Sequence, residues 1–90
     1  MDEIQLGKRQ AKGGQAYELL NSEIFKEIFA VLEAEYLKSW RDTRAQDKEG
    51  RERLWTAVRT LALVKSHLTK LVSDGKIASK DLAQIKYMKR

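Results

Sequence analysis

The chain has 90 residues and a mass of 10.4 kDa, the length of one small domain with a single core. Eighteen Lys and Arg against 13 Asp and Glu give a net charge of +5 and a pI of about 9.6, a balance that suits anionic partners. With no cysteine and one histidine, disulfides, thiol chemistry, thiolate metal sites and His clusters are excluded.

Zero proline and five glycines beside 42% apolar and 34% charged residues point to an all-α protein that folds rather than a disordered tail. No window of about 18 apolar residues and no N-terminal apolar stretch occurs, so neither a membrane span nor a signal peptide is expected. A cytoplasmic location follows by default.

Residues 1–14 hold Lys8, Arg9 and Lys12 among polar and small neighbours, too few apolar groups to pack alone. They read as a flexible basic arm preceding a single helical domain over residues 15–90. From Gln15 to about Thr43 the apolar residues, among them Phe25, Phe29, Leu32, Tyr36 and Trp40, recur at threes and fours, the spacing of an amphipathic helix. Asn21 and Ser22 are better caps than interior residues, so a break there is expected.

The stretch from Asp42 to Gly50 lacks an apolar run and reads as the connection of an antiparallel hairpin, with Asp47 placed to cap the next helix. That helix is expected to run to about Asp74 with Leu54, Val58, Leu61, Val64, Leu68, Leu71 and Val72 on one face, and to end at a left-handed Gly75. Ser79 then opens a short third helix through Leu82, Ile85 and Met88 that finishes at Lys86, Lys89 and Arg90. The expected architecture is a long two-helix antiparallel hairpin with a short C-terminal helix. Its apolar arc is too wide for one hairpin to cover, which predicts assembly into a helical homo-oligomer; a third helix folding back is the alternative.

Charge divides unevenly along the chain. Residues 1–47 carry seven basic and nine acidic side chains, residues 48–90 eleven and four. Around the connection Trp40, Arg41 and Arg44 are expected to face Arg51 and Trp55, and Arg59, His67 and Lys70 to form a basic stripe along the second helix. An aromatic plane beside guanidinium groups suits a nucleotide, whose base stacks while its phosphate takes paired Arg hydrogen bonds. A tryptophan at a hairpin end is more often a core plug or an interface anchor than a stacking platform.

No catalytic constellation is visible: His67 has no nucleophile and orienting acid in a triad pattern, the carboxylates lack His or Cys partners for a metal, and the glycines at 13 and 14 do not open a phosphate loop. No enzyme activity, metal or cofactor is expected.

The runs AYELLNSEIFKEIFAVLEAEYLKSW and DKEGRERLWTAVRTLALVKSHLTKLVSDGKIA resemble a class of small helical proteins encoded by tailed bacteriophages near head and packaging genes. Leu19, Leu20 and Asn21 before the apolar helix, Trp40 before the gap, Arg51, Glu52, Leu54 and Trp55 after it, and Gly75 with Lys76 carry the resemblance, which covers about Gln15 to Ala78. It implies phage origin, an infected bacterial cytoplasm and a helical hairpin, and no ligand residue. Three functions fit. The first is a non-enzymatic sponge that sequesters a small anionic ligand such as a nucleotide immune signal, an analogy of size and charge. The second is a morphogenesis accessory bridging capsid, portal or packaging proteins. The third is a basic nucleic-acid binder.

Overall fold

The computed structural model describes residues 2–88 and, among them, contains three α-helices and no strand. Helix α1 spans Glu3–Leu20, α2 Glu23–Asp42 and α3 Lys48–Met88. The 41 residues of α3 form a continuous rod of roughly 60 Å at 1.5 Å per residue. Both shorter helices pack along it, giving a molecule of 68 × 25 × 14 Å.

Helix ends follow the local chemistry. Asp2 Oδ1 accepts the Ile4 N–H at 3.1 Å and Ser22 Oγ accepts the Phe25 N–H at 3.1 Å, each satisfying an amide that lacks an intrahelical acceptor. Asn21 closes α1 by donating from Nδ2 to the Tyr17 carbonyl at 2.8 Å. Asp47 Oδ1 accepts the Gly50 N–H at 3.0 Å and starts α3, as its position in the sequence suggests.

Both α1 and α2 run antiparallel to α3. Arg9 meets Asp74 and Gln10 meets Ser79 at one end, Glu33 meets Lys65 in the middle, and Trp40 meets Arg51 beside the loop. In α3 the inward stripe Leu54, Val58, Leu61, Lys65, Leu68 and Val72 continues through Gly75 to Leu82, alternating steps of four and three, and all of it is buried or half-buried. Phe25, Phe29, Leu32 and Tyr36 of α2 and Leu6, Arg9, Gly13, Ala16 and Leu20 of α1 repeat the same steps. This is the heptad spacing of helices packed nearly parallel in axis.

Two expectations are corrected. The flexible arm read over residues 1–14 is, from Glu3 onward, most of α1, and it supplies Leu6, the one large side chain buried completely among the described residues. Gly75 does not end a helix, and Ser79 does not start one: no glycine here has positive φ, and α3 passes through both positions. The reason is a close helix crossing. A Cβ on Gly13 would lie 2.7 Å from the Gly75 Cα, and one on Gly75 would lie 2.8 Å from the Gly13 Cα. The small residues let the backbones touch, and dispersion contacts offset the roughly 1 kcal/mol that glycine costs inside a helix. Lys89 and Arg90, expected at the basic end, lie outside the described residues, as does Met1 of the arm.

The α1–α3 end is also tied by charge. Arg9 donates from Nε to Asp74 Oδ2 at 2.9 Å and from Nη2 to Oδ1 at 2.6 Å, a two-pronged pairing. Hydrogen bonding from Arg9 holds the Asp74 carboxyl below its ordinary value of 3.8. A carboxylate lowered in the folded state adds stability above its unfolded pKa and loses it as pH falls through the folded one. An Asp74→Asn variant should therefore melt below the parent at pH 6, with the gap closing below about pH 4; a gap unchanged at pH 2.5 would assign the loss to packing.

Candidate association surface

At the hairpin end the expected aromatic and basic residues are partly brought together. The Arg51 Cζ lies 4.3 Å from the Trp40 ring centroid, a cation–π contact. Arg51 Nη1 also donates to the Thr43 carbonyl at 3.3 Å, and Thr43 Oγ1 donates to the Ser39 carbonyl at 2.6 Å. The pair thus staples the end of α2 to the start of α3, the role of a plug. Trp55, one turn further along α3, stands 59% exposed.

The remaining positions are spread out. Arg41, Arg44, Arg59, His67 and Lys70 are all exposed, and from Arg51 to Lys70 the α3 axis covers roughly 28 Å at 1.5 Å per residue. One small ligand on one hairpin does not reach them all. Arg44 shares its open depression with Asp42 and Asp47, whose carboxylates work against an anion there. His67 and Lys70 border an apolar depression with Leu63, Val64 and Leu68, and His67 joins a second one with Leu19, Leu68 and Leu71. Among the described residues no group of three His, Cys, Asp or Glu is placed to hold a metal, and no helix is long and apolar enough to cross a membrane.

What the molecule presents instead is apolar surface. Helix α2 contains no fully buried residue. Its outward Ile24, Ile28 and Val31 are 62%, 48% and 49% exposed, and Leu19 and Val64, 45% and 42% exposed, belong to the neighbouring helices. Total accessible area is 7381 Å², against about 5,400 Å² for a compact monomer of this mass. The radius of gyration is 19.2 Å where a compact chain of this length has about 12 Å. Val64, expected on the inward row of the second helix, is the residue sequence reasoning placed wrongly: the row passes through Lys65, whose stem packs inward while Nζ reaches Glu33 at 3.0 Å and sits 5.3 Å from the Phe29 ring centroid.

The chain matches no protein-family model, no curated protein and no solved structure.

Proposed function

We propose that this protein is a non-enzymatic helical association protein of phage type, which acts by assembling with itself and bridging partner proteins of head morphogenesis or packaging. One observation carries the reading: on a hairpin that exposes about 2,000 Å² more than a compact chain of its mass, Leu19, Ile24, Ile28, Val31 and Val64 all stand open to water. Large aliphatic side chains grouped in water mark an interaction surface. Sedimentation analysis in the micromolar range is the test. A mass of at least twice 10.4 kDa is expected, and a 10.4 kDa species at every concentration would overturn the reading.

A second reading has its own observation. Arg51 stacked on Trp40, with the exposed Arg41 at the same end of the hairpin, supports sequestration of a small anionic ligand such as a nucleotide between protomers, without turnover. Titration with cyclic nucleotides should then show saturable uptake, weakened tenfold or more by Arg51→Ala, since a charge-assisted hydrogen bond contributes about 1.5–3 kcal/mol. Uptake unaffected by Arg51→Ala, or none at all, removes this reading and leaves the first.

A further inference from the structure

We propose that a second copy of this chain covers the face formed by Leu19, Ile28 and Val64, with the acidic α2 of each copy lying across the basic α3 of the other. This rests on the association reading and specifies its surface, partner and orientation.

The inward stripes use two positions of each heptad. On α3 a third position, the one just before Val58, Lys65 and Val72, is also apolar: Ala57, Val64 and Leu71, continuing to Ala78; on the facing arms the same position is Leu19 in α1 and Ile28 in α2, between the polar Lys12 and Glu35. Two apolar positions per heptad are enough to pair two helices; three per heptad is the pattern of a helix with neighbours on two sides. Because the arms are right-handed helices running in opposite directions, these third positions project to the same side of the hairpin. The depressions that Val64 and Leu19 each share with His67 and Leu68 place both on that side. On α3 the stripe is fully buried at Ala78, beside the Gly13 crossing, and open at Val64 beyond the break at Asn21. The same stripe that already accepts a helix at one end is bare at the other.

Area and charge select the occupant. A standard interface covers about 800 Å² per partner, well within the surplus on this hairpin. Helix α2 holds five acidic and three basic residues, α3 four acidic and nine basic. The open patch centres near Ile28, so stacking α2 on α2 would bring Glu27 against its own counterpart, which like charges oppose. Stacking α2 on α3 brings Glu27 toward His67 and Lys70 instead. The symmetry is then a two-fold axis along the rod, with both loops at one end.

The sequence contains no cysteine, so introduced thiols report the contact without background. Equimolar Ile28→Cys and Val64→Cys variants, oxidised together, should give a mixed disulfide dimer, with little product from either alone. Dimer from Ile28→Cys alone would overturn the orientation. In parallel, Val64→Lys should leave helicity intact and reduce the assembly to monomer mass, while Ile77→Lys, 55% exposed and outside the depressions that hold Val64 and Leu19, should not. If Val64→Lys stays assembled, the face is wrong although association stands. A parent chain that is monomeric throughout overturns both.

Discussion

Gly13→Ala should destabilise the protein, while Gly14→Ala, the next residue on the same helix, should stabilise it. In a helix interior alanine is favoured over glycine by about 1 kcal/mol. At Gly14 nothing lies within 4 Å of an added Cβ, so the full gain is available. At Gly13 the added atom would sit 2.7 Å from the Gly75 Cα and 2.9 Å from the Leu71 carbonyl oxygen. Those are backbone atoms of α3, with no rotamer to escape into, so the helices must part along their tightest contact. Overpacking of this kind costs about 1–3 kcal/mol, enough to reverse the propensity gain. Urea unfolding followed by far-UV circular dichroism measures both variants; equal stabilisation by the two would show that the helices do not cross this closely.

Leu6→Ala should be the most damaging single truncation. Leu6 is fully buried, and removing such a side chain costs about 2–5 kcal/mol. A chain of this length has in total only about 5–13 kcal/mol. Tyr87→Ala, at 80% exposure, should stay within about 0.5 kcal/mol of the parent. Both are read from the same urea transitions. A Leu6→Ala variant as stable as the Tyr87→Ala one would mean that α1 is not docked.

How legible each element is depends on the kind of signal that specifies it. The α1–α2 break and the start of α3 rest on Asn21, Ser22 and Asp47, whose side chains bond backbone groups within four residues, and such signals are local enough to read from sequence. Helix α1 is different. Its docking rests on Gly13 meeting Gly75, with Ala16 and Ala78 buried along the same contact, and small residues carry no hydrophobic periodicity. The glycines therefore read as fraying in one segment and as a terminator in the other, when their use is close approach. At the candidate site, loop length alone puts Trp40 near Arg51. The outward position of Val64 is hidden because a lysine, Lys65, occupies the inward row beside it.

The hairpin's cross-connections are ordered by how far apart in sequence they are. Arg51 reaches Thr43 across 8 residues, Lys65 reaches Glu33 across 32, and Arg9 and Gln10 reach Asp74 and Ser79 across 65 and 69. Closing a loop costs more entropy the longer it is, so folding is expected to zip outward from the loop, with the Gly13–Gly75 crossing formed last. Contacts made after the rate-limiting step govern how fast a protein unfolds and leave its folding rate nearly untouched. On that order the Gly13–Gly75 contact acts on the lifetime of the folded state, which is held shut by α1 rather than at the loop.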